Sequence, residues 1–534
     1  MDTAYLSKYD MKFLNFIFLI GFLGLGYLFY GHFFSLKRTE SPYKLYANLI
    51  KGTYRLGYVD LDNEYNIDQL EIRGEIPEWL SGTLLRNGPA KFSSGKSVVT
   101  HWFDGLGMLH AFMFDKGRVA YANKFLHSDA YNLFKETGKM SYVGFAQDPC
   151  KSIFKKLFTY FIPNRDQKHI CPNANVNISK LADEYVALTE IPLPIAFDPK
   201  MLQTLGVVHY NDRFPESEIH ECVHPHYDYL NKEHLGFLTE FGRKSTHNVY
   251  SIKDGTVERD LIASIEVQEP SYMHSFAITP NYIILSLIPL VVNPLDFLIK
   301  NKPFIKNFKW KPELGTKFAV IDRVNKKLIG LFKTIPFFTF HHVNAYEKNN
   351  QIIIDLVAYD TPSQIDVFNL VNVLSPKLSL QDKHSFYTTQ VSPSILTRFV
   401  IDLVMQKVVI HKLCDKIIEL PRINYKFYNG KPYRYVYGGS SGDMRYFDSL
   451  LKLDVTTGKT IGWSEKSCYP GEPVFIMAPE GIDEDDGIIM SVVLDAAKEN
   501  SFLLVLDAKN FKELGRALVP HHIPFGLHGI YKHI

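Results

Sequence analysis

The sequence lacks a charge imbalance and any pairing of its cysteines. Its 534 residues carry a formal net charge of +2, which gives no reason to expect a nucleic-acid partner. The five cysteines are odd in number, scattered and without a C-x-x-C pair: Cys150, Cys171, Cys222, Cys414 and Cys468. Therefore neither a disulfide framework nor a thiolate zinc site is expected, and a reducing compartment fits best.

The chain also lacks low-complexity segments, a repeat of fixed period and a regular alternation of strands with helical patterns. After Lys51 it consists of short apolar runs separated by Gly, Asn, Asp and Pro turns, among them "EYVALTE", "QIIIDLVAY" and "SFLLVLDA". This pattern predicts an all-β fold, which can be a sandwich, a barrel or a propeller. About 480 residues of such strands without a linker favour the propeller, since radial repetition lets one domain grow large.

One long apolar run is present near the N-terminus, "FLNFIFLIGFLGLGYLFYGHFF". It spans residues 13–34, carries no formal charge and has the length of about 20 residues that a helix needs to cross a bilayer. We interpret it as a transmembrane anchor. A cleaved signal peptide is the main alternative, but the run is long for one and no clear cleavage site follows it. The predicted organisation is a tail (1–12), a hydrophobic anchor helix (13–34), a linker (35–60) and one β domain (61–534).

Basic residues flank the predicted anchor unequally. Two precede it and four follow it within the next 17 residues, so the positive-inside bias weakly places the β domain in the cytosol, at the endoplasmic reticulum or another intracellular membrane. The cysteine pattern agrees with that side of the membrane. The six residues are Lys8, Lys12, Lys37, Arg38, Lys44 and Lys51.

A second segment departs from the β pattern. "DPCKSIFKKLFTYFIP", residues 148–163, places Phe154, Leu157, Phe158 and Phe161 at helical spacing beside several lysines. This spacing is typical of an amphipathic helix at a membrane surface. A helix whose apolar face is part of the core is the alternative.

Histidines recur in strand-like or tight-turn contexts, and two of them are adjacent. Because side chains alternate along a strand, His341 and His342 cannot both face one site. Most single buried histidines are structural, but several spread along the chain are what an axial metal site needs if separate blades each supply a ligand. The contexts are "CVHPHYDY" (His224, His226), "EPSYMHSFAI" (His274), "TFHHVNAYE" (His341, His342) and "HHIPFGLHGIY" (His521, His522, His528).

These contexts resemble the carotenoid cleavage oxygenase family, whose animal members include β-carotene oxygenases and a retinoid isomerohydrolase. The resemblance extends over nearly the whole chain after the anchor. It rests on ordered blocks such as "GEIPEWLSGTLLRNGPAKF", "HWFDGLGMLHAF", "PSYMHSFAITPNYIIL", "FHHVNAYE", "ELPRINYKFYNGKPYRYVYG", "YPGEPVF" and "HIPFGLHG". The family fold is a seven-bladed β-propeller with iron(II) on its axis. The matching blocks assign the four metal ligands to His224, His274, His341 and His528.

The resemblance also implies roles for residues around the iron. Three glutamates are expected behind the ligands, Glu190, Glu419 and Glu472, because a ligating histidine usually donates its second N–H to a carboxylate or carbonyl. Thr189 matches a family position near the open side of the metal, so these four are the candidate catalytic residues. By the same matching, His226, His342 and His522 are read as non-ligands.

The expected function is that of an iron(II)-dependent dioxygenase that cleaves a double bond of a β-carotene-like carotenoid into carbonyl products. Isomerohydrolysis of a retinyl ester at the same iron is one alternative. A non-catalytic, membrane-tethered carotenoid or retinoid binder is another, which the intact ligands and glutamates disfavour. The expected partners are the carotenoid or retinoid, dioxygen and membrane lipids, and Cys150 is a candidate for lipid modification. Two residues depart from the family pattern: Ala90 replaces a glycine and Leu420 replaces a phenylalanine.

Overall fold

The structure is a computed structural model that describes residues 50–533, apart from residues 96, 141, 143, 147–170, 213, 215–218, 300–301, 375–390 and 443–445. The described residues belong to one compact unit, Tyr46–Ile534. The predicted anchor at 13–34, the amphipathic segment at 148–163 and Cys150 lie outside the described residues. Within the described ranges, no helix is both long and apolar enough to cross a membrane.

The described chain is dominated by short strands, numbered here in chain order. In its first half these are β1 (Tyr65–Ile67), β2 (Glu71–Gly74), β3 (Gly82–Lys91), β4 (Leu106–Asp115), β5 (Arg118–Phe125), β6 (Asn177–Leu181), β7 (Glu184–Leu188), β8 (Ile195–Phe197), β9 (Thr204–Val207), β10 (Ile219–Glu221), β11 (His226–Asp228), β12 (Glu233–Glu240), β13 (Ser245–Lys253) and β14 (Asp260–Val267). In its second half they are β15 (Ala277–Ile278), β16 (Tyr282–Leu287), β17 (Leu290–Val291), β18 (Lys309–Trp310), β19 (Thr316–Asp322), β20 (Lys327–Thr334), β21 (His342–Lys348), β22 (Gln351–Ala358), β23 (Ile395–Asp402), β24 (Lys407–Ile417), β25 (Glu419–Arg422), β26 (Tyr435–Ser440), β27 (Ser449–Asp454), β28 (Thr460–Trp463), β29 (Cys468–Pro470), β30 (Val474–Met477), β31 (Gly487–Asp495), β32 (Asn500–Asp507), β33 (Glu513–Val519) and β34 (Gly529–His533).

Helices are short and lie in the connections between strands. Helix α1 shows both end signals: the Ser128 side chain accepts the N–H of Tyr131 at its start, and Gly138 takes a left-handed conformation after its end. The helices are α1 (Asp129–Thr137), α2 (Leu295–Ile299), α3 (Ser363–Val367), α4 (Leu370–Leu374) and α5 (Tyr425–Tyr428), with 3-10 turns at Tyr54–Tyr58, Trp102–Asp104, Phe304–Asn307 and Pro312–Leu314.

Seven antiparallel sheets of the described residues follow one another along the chain as blades 1 to 7 of a β-propeller, and β17 pairs with β18 in a separate two-stranded sheet. Blade 1 has the order β1-β5-β4-β3-β34, and blades 2 and 3 are built from β6 to β9 and from β10 to β14. Blade 4 contains β15, β16, β19 and β20, while blades 5 and 6 are β21 to β24 and β25 to β28. Blade 7 joins β29 to β33 with β2. The predicted seven-bladed propeller is confirmed.

Continuous apolar runs occupy the middle strands of the blades. "QIIIDLVAY" forms β22 and "SFLLVLDA" falls largely in β32, and nearly every residue of both strands is buried. Both faces of such a strand pack against neighbouring blades, so most positions are hydrophobic rather than only alternate ones. The buried Asp355 of β22 is an exception and is paired with Arg398. The predicted strand runs are therefore found where the sequence placed them.

The ring is closed by exchanging the two ends of the chain. The last strand, β34, pairs with β3 of blade 1, and the early strand β2 pairs with β33 of blade 7. Each of these two blades thus combines strands from both ends of the chain, more than 400 residues apart in sequence. Opening the ring would break both ladders at once.

Part of the predicted linker is packed against the propeller. The 3-10 turn Tyr54–Tyr58 consists of buried residues, and the Tyr58 ring meets Phe525 edge-on with centroids 5.2 Å apart. The folded unit therefore begins before residue 61, where the apolar-run pattern alone placed its start.

The alanine at a usual glycine position fits its surroundings. Ala90 is 1% exposed and lies in β3 where the pairing with β4 shifts register. It is not among the residues with a positive φ, so no glycine-specific conformation is required there.

Candidate metal centre

Four histidines converge where the inner ends of blades 1, 3, 4 and 5 meet. His224 lies between β10 and β11, while His274, His341 and His528 come one to three residues before β15, β21 and β34. One nitrogen from each ring lies within 4.8 Å of those of the other three, and the Nε2 atoms of His224 and His274 are 3.1 Å apart. Residues spread over 300 positions of sequence thus form one cluster.

A buried carboxylate stands behind three of the four rings. The Nδ1 atom of His274 is 2.6 Å from Oε1 of Glu190, and that of His528 is 2.7 Å from Oε1 of Glu472. The third pair joins Nδ1 of His341 to Oε2 of Glu419 at 2.6 Å. Because each Nδ1–H donates to a carboxylate, the lone pair of each ring is on Nε2, which turns toward the cluster.

The fourth ring is held differently. Nδ1 of His224 is 3.4 Å from the amide nitrogen of Asn177, and that amide donates to the carbonyl oxygen of Val223 at 2.9 Å. The backbone N–H of His224 points at the sulfur of Cys222, 3.3 Å away. Its position is therefore fixed by neutral groups rather than by a carboxylate.

The cluster has the properties of a metal site. Nε2 of His341 is buried and has no hydrogen-bond partner among the described residues, which is costly unless something else occupies its lone pair. Burial lowers the pKa of His528 to about 4, and burial together with His528 and His274 lowers the pKa of His224 well below its ordinary value. Neutral imidazoles with converging lone pairs can hold a divalent metal ion.

The carboxylates remain ionised in spite of their burial. Burial alone would raise the pKa of Glu472, but Arg422, His528 and Arg86 outweigh it and hold that pKa well below its usual range. Likewise His220 and His274 outweigh the burial of Glu190 and lower its pKa. Ionised acceptors make stronger hydrogen bonds and raise the basicity of the rings they hold.

The three carboxylates have different second partners. Glu419 accepts the hydroxyl of Tyr359 at 2.7 Å and the backbone N–H of Leu420 at 2.5 Å. Glu472 is paired with the guanidinium groups of Arg86 and Arg422. The chain thus surrounds one carboxylate with two cations and another with neutral donors.

The remaining carboxylate, Glu190, has its own set of partners. Its Oε1 accepts the hydroxyl of Tyr272 at 2.6 Å, in addition to the N–H of His274. Its Oε2 lies 3.3 Å from Nε2 of His220.

A cavity of about 930 Å³ opens beside the cluster. His274, His341, His528, Glu190 and Thr189 lie on its wall, so the cluster is accessible from inside it. Most of the remaining lining is apolar, as expected for a pocket that encloses a hydrophobic ligand. The aromatic lining residues are Trp102, Phe103, Phe145, Phe241, Phe297, Phe304, Phe340, Tyr359, Phe368, Tyr446 and Phe447.

Leu420, which replaces the usual phenylalanine, is also on the cavity wall. Its φ of 49° is left-handed, a conformation that costs a leucine free energy. The hydrogen bond from its N–H to the Glu419 carboxylate holds this conformation.

Other predicted positions lie away from the cluster. His342 contacts Oγ of Ser275 at 2.8 Å through Nδ1 and Oγ of Ser286 at 2.7 Å through Nε2. His226 contacts the hydroxyl of Tyr425 at 2.8 Å and the carbonyl oxygen of Phe276 at 3.0 Å. The structure therefore directs His341 to the centre and His342 between blades 4 and 5, and His522 is likewise not part of the cluster.

Several site residues are missed by reasoning from the sequence. Tyr272, Tyr359 and Arg86 come from blades distant in sequence, and no local pattern marks them. His220 lies in "EIHECVHPH" at even spacing from both His224 and His226, so the local sequence does not single it out either.

The chain matches known proteins over most of its length. A family model described as Retinal pigment epithelial membrane protein (RPE65) matches residues 58–533. The beta,beta-carotene 15,15'-dioxygenase of Gallus gallus is 34% identical over 521 residues, which cover 86% of this chain and 94% of the relative. The mitochondrial carotenoid-cleaving dioxygenase of Mustela putorius furo is 33% identical over 518 residues, covering 86% and 93%. The cobalt-substituted apocarotenoid oxygenase of Synechocystis superposes with a TM-score of 0.76 at 27% identity, covering 90% of this chain and 98% of that one.

The fold and the relatives define a propeller enzyme, and its four clustered histidines could hold a metal ion. The chain belongs to the retinal pigment epithelial membrane protein family, in which the matched relatives are carotenoid-cleaving oxygenases. The family, fold and enzyme predicted from the sequence are confirmed.

Proposed function

We propose that this protein is an iron(II)-dependent dioxygenase that cleaves a C=C bond of a β-carotene-like carotenoid into apocarotenal or retinal products. The observation that carries the proposal is a four-histidine cluster, three of whose rings are backed by carboxylates and lie on the wall of a large aromatic cavity. Relatives named as carotenoid-cleaving dioxygenases support the substrate class.

The metal would be held by His224, His274, His341 and His528 through neutral nitrogen donors. When bound, iron(II) would supply open coordination positions and the electrons that dioxygen chemistry requires. The cobalt-substituted relative supports a transition metal at such a site.

The residues of the chain itself position the reactants. Glu190, Glu419 and Glu472 are engaged in orienting three of the rings, which makes their role one of positioning rather than of proton transfer. The aromatic walls bind a polyene through its faces and exclude water from the double bond next to the cluster. Thr189 is placed on the wall beside Glu190, where a small side chain leaves room for dioxygen.

The reaction balances without any further co-reactant. Both atoms of one dioxygen molecule are consumed as one C=C bond is replaced by two C=O bonds. Neither a proton donor nor a nucleophile is required, which suits a cluster whose three glutamates are occupied by hydrogen bonds to histidines.

Membrane contact is a further part of the proposal. A carotenoid is dissolved in lipid, so an enzyme that takes it up benefits from contact with membrane lipids. The segments that would provide contact are the apolar run at 13–34 and the amphipathic sequence at 148–163 with Cys150.

The proposal is tested by supplying the iron-loaded protein with β-carotene in detergent under labelled dioxygen. Prompt mass spectrometry, before the aldehydes exchange with water, should find one label in each of the two products. Anaerobic samples and the His274→Ala variant should form none. Anaerobic conversion of an all-trans retinyl ester to a cis retinol, without carotenoid turnover, would establish isomerohydrolysis instead. Binding of carotenoid without any turnover would establish a binder.

A further inference from the structure

His220 is a buried histidine beside the cluster that the proposed function does not use. It lies in β10, is 3% exposed and belongs to none of the sets assigned from the family resemblance. Its Nε2 is 3.3 Å from Oε2 of Glu190, a close contact that lacks the geometry of a hydrogen bond in the structure. The backbone N–H of the next residue, Glu221, donates to the carbonyl oxygen of Glu190 at 3.1 Å, so β10 is tied to Glu190 at two points.

A comparison of the three carboxylates shows what His220 supplies. In Glu419 one oxygen accepts from His341 and the other from Tyr359. In Glu472 one oxygen accepts from His528 and the other from Arg86. Each of these carboxylates is therefore held at both oxygens, which prevents rotation about its terminal bond.

Glu190 has a side-chain partner at both of its oxygens only because of His220. Its Oε1 accepts from both His274 and Tyr272, which leaves Oε2 to be held separately. Among the described residues, His220 supplies the side-chain nitrogen that faces Oε2. Glu190 also lines the cavity, so without His220 this oxygen would be free to turn toward the ligand space.

His220 is itself fixed by the cavity wall. Its ring stacks on Phe304, with centroids 5.8 Å apart and planes 7° from parallel. Phe304 stacks in turn on Phe297 at 5.5 Å, and both phenylalanines line the cavity. The row of rings limits how far His220 can move.

We propose that His220 is a positioning residue that holds the second oxygen of Glu190, and thereby orients the His274 ring toward the metal. The inference rests on the proposed metal site. It adds to that site a chain-specific support for one of its four ligands, since the other two carboxylates are held by a tyrosine and by arginines.

Cobalt(II) binding to the metal-free, full-length protein tests this role without relying on activity. The dissociation constant and the visible cobalt absorption, which reports ligand geometry, are measured for the wild type, His220→Leu and His220→Gln. We expect His220→Leu to bind cobalt up to about tenfold more weakly, with a shifted spectrum, because outer partners of ligands typically change metal affinity on this scale or more. His220→Gln should restore both, since its amide reaches Glu190 and donates a hydrogen bond.

His247→Leu is the matched control. His247 is fully buried in the same blade and contacts Oγ1 of Thr239 at 2.9 Å, so its loss disturbs packing in the blade without removing a partner of Glu190. It should leave the cobalt spectrum unchanged. Should His220→Leu fail to fold, His220→Asn takes its place, because that amide is too short to reach Glu190.

The outcomes separate the two proposals. A wild-type protein that binds no cobalt overturns the metal site and the role of His220 together. A wild type that binds cobalt, with a folded His220→Leu of identical affinity and spectrum, overturns only the role of His220. Equal spectral changes in His220→Leu and His247→Leu would also overturn it, since packing alone would then explain the effect.

Discussion

Histidine is held in opposite ways on the propeller axis and between the blades. His341 donates Nδ1–H to Glu419 and leaves Nε2 without a hydrogen-bond partner among the described residues. Its neighbour His342 has both ring nitrogens in contact with serine hydroxyls, and His226 has both in contact with oxygen atoms. A histidine with two satisfied nitrogens is structural, whereas one with a carboxylate on one nitrogen and nothing on the other is prepared to bind a metal.

The largest effect is expected from exchanging these two neighbours for alanine. His341→Ala should abolish metal binding, because it removes a donor from the cluster. His342→Ala should keep the metal but lower the free energy of unfolding by about 1–3 kcal/mol, because the serine hydroxyls lose their partner. Metal content by mass spectrometry and thermal unfolding, measured on both variants, check this. Equal metal loss from two folded variants would contradict the comparison.

A smaller effect is expected from changing the support of His341 rather than the ring itself. Glu419→Gln should lower metal affinity or turnover by roughly 10- to 100-fold with the fold retained, since the amide accepts a hydrogen bond but carries no charge. Tyr359→Phe is its control: it removes only the hydroxyl that binds Oε1 of Glu419, so a weaker effect is expected. Unchanged turnover in Glu419→Gln would remove the carboxylate from the mechanism.

A third test concerns a buried carboxylate that has no histidine partner. Asp104 is 1% exposed on the cavity wall, accepts the backbone N–H of Ala146 at 3.1 Å, and burial raises its pKa to about 7. The folded state then holds a proton that the unfolded state releases above pH 3.8, so Asp104 should make stability fall as pH rises from about 4 to about 7.

The variant Asp104→Asn isolates this contribution. The asparagine amide oxygen still accepts the N–H of Ala146, but the side chain cannot ionise. The free energy of unfolding of the variant should therefore lack the decline with rising pH, which is at most about 1.4 kcal/mol per pH unit. Denaturant unfolding at several pH values measures the difference between the two proteins. A difference that does not change between pH 4 and pH 7 would show that Asp104 is ionised throughout.

The propeller could be predicted from the sequence because strands are signalled by short stretches of neighbouring residues. Runs such as "QIIIDLVAY" are apolar at most positions on both faces of the strand, and this indicates strands covered on both faces. Predicting the histidine cluster required more than local patterns, since no such pattern tells which of the twenty histidines reach the axis. Block matching supplied the four positions, and strand alternation then separated His341 from His342.

The remaining parts of the site depend on contacts that no local pattern encodes. Arg86 pairs with Glu472 across 386 positions of sequence, because β34 and β2 bring the ends of the chain together. Tyr272 and Tyr359 are ordinary strand-flanking tyrosines until the ring closes. His220 likewise has no distinguishing local pattern, and only the fold places Glu190 in front of it.

The smallest effect on the cluster is expected from deleting residues 1–45, which lie outside the compact unit that begins at Tyr46. That unit is secured near its start, because the hydroxyl of Tyr54 donates to the carbonyl oxygen of Val373 and Nε of Arg55 to that of Leu374. Metal content and thermal unfolding should therefore match those of the full chain. Sedimentation with lipid vesicles at low salt should show weaker but persistent binding, because the proposal gives membrane affinity to two separate segments, the apolar run at 13–34 and the amphipathic sequence at 148–163. Replacing Phe154 and Phe158 by serine in the deleted form should then abolish binding. Complete loss of vesicle binding on deletion alone would assign all membrane affinity to the first 45 residues and leave the amphipathic sequence as part of the core.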